Sequence, residues 1–169
     1  MTAPISQAYI RSLHALVLAT YSPEIAGAYV DKARFVNTDR GLFHFPSPVD
    51  VPALMRDFAG WLDTATISPD TAFGAHRRLV AIQPFNDGIG PTARLLMNLV
   101  LARGGFPSIA ARPEDRPEYI SALETEQAGG GHAQFSGLMC RSLDRTLDIY
   151  LEAPRQANQM QATAVRGGD

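Results

Sequence analysis

At 169 residues, with 46% apolar and 19% charged side chains, the chain has the size and composition of one folded domain with its own core. A net charge of -2 gives no electrostatic basis for nucleic acid or an anionic membrane surface as a partner, and the single cysteine, Cys140, excludes an intramolecular disulfide framework and points to the cytoplasm. No stretch approaches the roughly 18 consecutive apolar residues of a membrane span, and the N-terminus lacks a basic region leading into an apolar signal core, so a soluble protein is expected.

Tyr9, Leu13, Val17 and Leu18 recur at helical spacing, which predicts a first helix over about Ser6 to Thr20, closed by Ser22-Pro23. Between Ala33 and Phe45 the pattern changes to two short runs, Arg34-Phe35-Val36 and Leu42-Phe43-His44-Phe45. The turn chemistry of Asn37-Thr38-Asp39-Arg40-Gly41 joins them, so this region reads as a small β-hairpin. Pro46-Ser47-Pro48 ends it, and Asp50 is placed to cap a helix whose stripe is Val51, Leu54, Met55, Phe58, Trp61 and Leu62.

A third helix is expected from Ser68-Pro69-Asp70 through Phe73, His76, Leu79, Val80 and Ile82, with Pro84 as its stop. After the loop Gln83-Pro-Phe-Asn-Asp-Gly-Ile-Gly-Pro91, whose glycines allow close backbone approach, proline stands at what reads as the first helical position. Leu95, Leu96, Leu99, Val100 and Leu101 make that fourth helix apolar on most sides, which suits a central helix ending at Gly104-Gly105.

Two more helices follow. One runs over about Pro117 to Gln127 with Tyr119, Ile120 and Leu123 inward. The other runs over about Ala133 to Leu151 with Phe135, Leu138, Met139, Leu143, Leu147 and Tyr150 inward, and Cys140 reads as core packing. Residues 154–169 lack apolar periodicity and are expected to form a disordered tail behind a domain spanning 1–153.

The segment Gln83-Pro-Phe-Asn-Asp-Gly-Ile-Gly-Pro-Thr-Ala-Arg94 resembles the Fic signature, His-Pro-Phe-x-Asp/Glu-Gly-Asn-Gly-Arg-x-x-Arg. Val51-Pro-Ala-Leu-Met, Trp61-Leu62, Ala75-His76, Leu95-Leu-Met-Asn and Arg112-Pro-Glu-Asp-Arg-Pro-Glu-Tyr119 extend the likeness to roughly residues 5 to 152. The resemblance to the Fic (Fic/Doc, Fido) family implies an all-helical bundle with one hairpin, the flap, which aligns a segment of a target protein by strand pairing. It also implies transfer of AMP from ATP to a protein hydroxyl.

Carried over by position, the family's general base falls on Gln83, whose amide cannot accept a proton near pH 7. Ile89 replaces an asparagine that contacts phosphate, and Pro91 replaces an arginine that holds the nucleotide's phosphates. Asp87 remains at the Mg²⁺ position, Gly88 and Gly90 at the anion cradle, and Arg94 at the second arginine. The resemblance therefore implies a degenerate site: no cofactor is expected, and any Mg²⁺ or nucleotide binding is weakened. No match to the family's inhibitory helix motif, Ser/Thr-x-x-x-Glu-Gly/Asn, is found.

The residues offered to a ligand are Phe85, Gly88, Ile89, Gly90, Pro91, Thr92 and Arg94, with Gln83, Asp87 and Arg94 as the catalytic set of any enzyme that remains. Phe35, Val36, Phe43, His44 and Phe45 are the hairpin positions offered to a partner, although alternate residues of a hairpin face the core. Two functions stay open, a regulatory pseudoenzyme that binds a protein partner or ligand and an enzyme repurposed for small-molecule chemistry without ATP. A homodimer is compatible with both. His76 reads as a satisfied core histidine, and Arg94 either meets a ligand or pairs with an acid such as Glu124 or Asp115.

Overall fold

The computed structural model of the chain describes residues 3–38, 41–110 and 112–166, with side chains left aside at Thr38 and from Pro154 on. Its elements are α1 (Gln7–Leu18), the strands β1 (Phe35–Thr38) and β2 (Gly41–His44), then α2 (Val51–Thr64), α3 (Pro69–Ile82), α4 (Ile89–Arg103), α5 (Arg116–Gln127) and α6 (Ala133–Arg166). This is the all-helical bundle with one hairpin that the sequence predicts. Among the described residues no helix is long and apolar enough to cross a membrane.

The helices start where side chains satisfy free backbone donors. Ser6 Oγ accepts from Tyr9 N–H at the head of α1, and Ser68 Oγ accepts from Thr71 N–H at the head of α3, both at 3.2 Å. Asp50, expected to do the same for α2, makes no such bond because its own backbone is already helical (φ -87°, ψ -22°), whereas a capping residue is extended.

The centre of the bundle is the pair α3 and α4. Ala72, Phe73, Ala75, His76 and Leu79 of α3 are fully buried, and α3 packs most extensively on α4, which also rests on α1. The fourth helix begins two residues earlier than expected, because Gly88 in a left-handed conformation (φ 69°) turns the chain, and its carbonyl accepts from Thr92 N–H at 3.1 Å. Pro91 then sits in the first turn, where a backbone N–H has no intrahelical acceptor, so its missing donor costs nothing.

Several inward expectations fail on geometry. Leu95 (42% exposed), Ile120 and Tyr150 face solvent, since each lies off the buried stripe of its helix, and Cys140 is exposed as well. α6 continues past Pro154 to Arg166, a stretch rich in Ala, Gln and Arg that favours helix without needing an apolar stripe. The side chains of the expected tail and residues 167–169 lie outside the described residues.

The hairpin is antiparallel, pairing Phe35 with His44, Val36 with Phe43 and Asn37 with Leu42. Phe45 N–H donates to the Arg34 carbonyl (3.1 Å) and closes its base. The turn residues Asp39 and Arg40 lie outside the described residues.

Gly88 is where the loop meets α1: a Cβ there would stand 2.9 Å from Leu18 Cδ2 and 3.3 Å from His14 Nε2. Gly88→Ala is thus expected to lower stability by about 1–3 kcal/mol, through left-handed strain and overpacking together. Urea unfolding reads this directly, and an unchanged midpoint would contradict the packing described.

Candidate functional site

The loop between α3 and α4 combines a constrained backbone with contacts from outside it. Gln83 ends α3 in the left-handed region (φ 51°, ψ 55°), and it is the one non-glycine residue with positive φ among the described residues. Pro84, which cannot extend a helix, offers its carbonyl to Val30 N–H at 2.9 Å. Phe85 turns fully inward and stacks on His14 with ring centres 3.8 Å apart and planes 3° from parallel.

His14, which the sequence reading passed over, holds this loop. Gly27 N–H donates to its Nδ1 (2.9 Å), so the ring hydrogen is on Nε2 and points at the Asp87 carbonyl, also at 2.9 Å. Burial lowers its pKa, and the Asp87 contacts oppose that only in part, which favours the neutral ring this arrangement requires. The signal was present in sequence as a polar residue one turn after Ile10 on the buried face of α1.

Arg34 was also missed as a site residue. Its Nη1 donates to the Phe85 carbonyl and to Gln83 Oε1 (3.3 Å), so the side chain at the base of the hairpin lies across the start of the loop.

The other loop residues divide between frame and face. Thr92 is buried and donates its hydroxyl to the Gly88 carbonyl (2.7 Å), and Ile89 is 9% exposed; with Phe85, their side chains form part of the loop's frame. Pro91 and Asp87 are exposed. One oxygen of Asp87 accepts from Gly88 N–H at 2.6 Å, and among the described residues no group of three His, Cys, Asp or Glu gathers to hold a metal. Asp87 thus offers its other carboxylate oxygen toward a cation, which fits Mg²⁺ only if waters and substrate phosphates complete the shell.

Arg94 lies back over the first turn of its helix, its Nη1 3.4 Å from where a Cβ on Gly90 would be. It lines a pocket of about 580 Å³ between α4, α5 and α6, together with Arg112, Arg116, Tyr119 and Ser142. The acids named as possible partners do not engage it: Asp115 pairs with Arg145 (2.6 Å), and no ion pair among the described residues includes Arg94 or Glu124. Its charge is left to the pocket, beside the helix N-terminus.

The Tyr119 hydroxyl lies 3.1 Å from His76 Nε2; burial raises the Tyr119 pKa, and the nearby Arg94 charge opposes this in part. His76 Nδ1 is buried without a hydrogen-bond partner. Burial, then the charges of Arg94 and Arg77, push the His76 pKa down to about 3. His76 is therefore a core histidine, as expected, but one satisfied at Nε2 alone.

Of the hairpin positions, Phe35 (61% exposed), Val36 and His44 are open to solvent, while Phe43 and Phe45 are half-buried and meet edge to face at 5.3 Å. Gln83 engages the base of this hairpin, and Arg94 the pocket under α5 and α6. Sequence neighbours in the signature therefore serve two different partners.

The family model described as the Fic/DOC family matches residues 4–101. The chain belongs to the Fic/DOC family. The protein named "Protein adenylyltransferase Fic" of Nematostella vectensis is 38% identical over 148 residues, covering 84% of this chain and 33% of its own length. "Protein adenylyltransferase fic-1" of Caenorhabditis elegans is 38% identical over 124 residues, covering 71% of this chain and 24% of its own.

Among solved structures, Fic-1 (residues 134–508) of C. elegans superposes with a TM-score of 0.75 at 31% identity, covering 90% of this chain and 45% of that one. A Fic domain containing signaling protein from Bacteroides thetaiotaomicron gives 0.70 at 30% identity, covering 83% and 61%. The chain spans about a third or less of the length of these curated relatives.

Native His76 refuses a proton that the unfolded chain accepts near pH 6.5, so its contribution to stability is complete above that pH and is lost progressively as pH falls toward about 3. Urea unfolding of His76→Leu between pH 6.5 and 4 is expected to have a shallower pH slope by up to one proton, about 1.4 kcal/mol per pH unit. An unchanged slope would mean that His76 is charged in the native state.

Proposed function

We propose that this Fic domain has given up AMP transfer and acts as a regulatory pseudoenzyme that binds a ligand or a protein partner through its altered cleft. The observation that carries this reading is the state of position 83: an uncharged amide, bonded to the cation Arg34, stands where the family signature has its base. Removing a general base costs about 10² to 10⁴ in rate, and loss of contacts to charge developing on phosphate adds to it. Ile89, turned inward, and Pro91, without a donor, offer no such contact. Protein adenylylation, the activity in the names of the relatives, is what we propose is missing here.

The binding capacity lies at Arg94. Arg116 and Arg112, the latter 4.0 Å from Glu114, join it in the pocket, while Arg145 already neutralises Asp115, so the pocket suits an anionic group. Strand pairing at the hairpin would serve a protein partner, and neither nucleic acid nor membrane is proposed for a chain of net charge -2. Nucleotide and Mg²⁺ remain as weak ligands at most.

A second reading, an enzyme repurposed for small-molecule chemistry without ATP, is favoured by the pocket's size: about 580 Å³ lies within the range of roughly 300–1,000 Å³ typical of small-ligand sites.

Calorimetric titration with ATP and Mg²⁺ tests the proposal. The native chain is expected to bind at least tenfold more weakly than the triple variant Gln83→His, Ile89→Asn, Pro91→Arg, as one or two lost charge-assisted bonds predict at roughly 1.5–3 kcal/mol each. Equal affinity in the two proteins would overturn the claim that the cradle has been dismantled.

A further inference from the structure

Arg34 is only half used by the contacts that hold it. Nη1 reaches the Phe85 carbonyl and Gln83 Oε1, while Nε and Nη2 are buried with no hydrogen-bond partner. Those two nitrogens share one edge of the guanidinium, the edge that donates two parallel bonds to the two oxygens of a carboxylate. Leaving a buried cation's donors unbonded is costly, and native proteins seldom do it without a purpose.

The counter-ion does not come from the described part of the chain. Its ion pairs involve Arg77, Arg112, Arg141 and Arg145, and none reaches Arg34. The Phe45 ring lies beside it, its centre 5.9 Å from the guanidinium carbon. Burial also holds the Arg34 pKa below the usual arginine value, the direction expected of a cation without its counter-ion.

We propose that the Nε/Nη2 edge of Arg34 is a carboxylate-binding site beside Gln83, at the base of the hairpin. Gln83 strengthens it, because turning Oε1 toward Arg34 leaves its amide NH₂ as a further donor. The site offers donors and one positive charge, which selects a flat, singly charged group with two acceptor oxygens. A phosphate dianion would carry a second, uncompensated charge into a buried position. Because both nitrogens are covered, the ligand enters when the hairpin base lifts. Arg34 does not line the Arg94 pocket, so this site stands or falls independently of nucleotide binding there.

The test uses the whole native chain, labelled with ¹⁵N, and follows the arginine Nε–H resonances by NMR, with Arg34→Lys assigning the Arg34 signal. Sodium propionate is titrated against sodium chloride at equal ionic strength. A saturable shift of the Arg34 signal with propionate alone supports the site, as does a loss of propionate affinity on the order of tenfold or more in Arg34→Lys, which keeps the charge but not the fork. No saturable shift, an equal response to chloride, binding of inorganic phosphate without propionate, or full affinity in a folded Arg34→Lys would each overturn it.

A capped Ala-Glu-Ala peptide distinguishes the two sources of the same chemistry. Tighter binding of the peptide assigns the site to an acidic side chain of a partner protein, and binding of propionate alone assigns it to a small free acid.

Discussion

A short loop that reverses the chain between the two central helices needs something outside itself to hold it, and here that support is α1. His14 takes the Gly27 N–H on one nitrogen, gives its hydrogen to the Asp87 carbonyl with the other and stacks its ring on Phe85. Gly88 lets the loop come close enough for this, since a side chain there would run into Leu18 and His14. The positions of Gln83 at one end of the loop and Arg94 beyond the other both follow from that seat.

This division explains how a site can change its chemistry and keep its shape. The frame is made of backbone bonds and buried side chains: Phe85 on His14, Thr92 on the Gly88 carbonyl, Pro84 on Val30. The residues at which the family signature is broken, Gln83, Ile89 and Pro91, are tolerated by that frame. Gln83 serves as the helix cap, Ile89 fills apolar space at the start of α4, and Pro91 falls in a first turn that needs no donor. The charged parts that remain, Arg34 and Arg94, have no acidic partner among the described residues, and each therefore leaves capacity for an anion.

The helices and the hairpin were legible because their signals are local: apolar stripes at helical spacing bounded by proline and glycine, and turn residues between two short apolar runs. What failed was finer. Leu95, Ile120 and Tyr150 belong to helices that are apolar on more than one side in sequence, and only packing decides which side is buried. In the site, the replacements at 83, 89 and 91 could be read from the signature, but the inward turn of Phe85 and Thr92 could not, because it depends on α1. His14 and Arg34 lie 73 and 51 residues from their loop contacts, and no periodicity connects pairs so distant.

The proposed function requires an intact fold without transfer chemistry. The most direct measurement is incubation of the native chain and of the variant carrying Gln83→His, Ile89→Asn and Pro91→Arg with ATP and Mg²⁺, followed by intact-protein mass spectrometry for AMP adducts. The account predicts none on the native chain and adducts on the restored one, with rates differing by at least about 10²-fold. Labelling of the native chain at a comparable rate would contradict it.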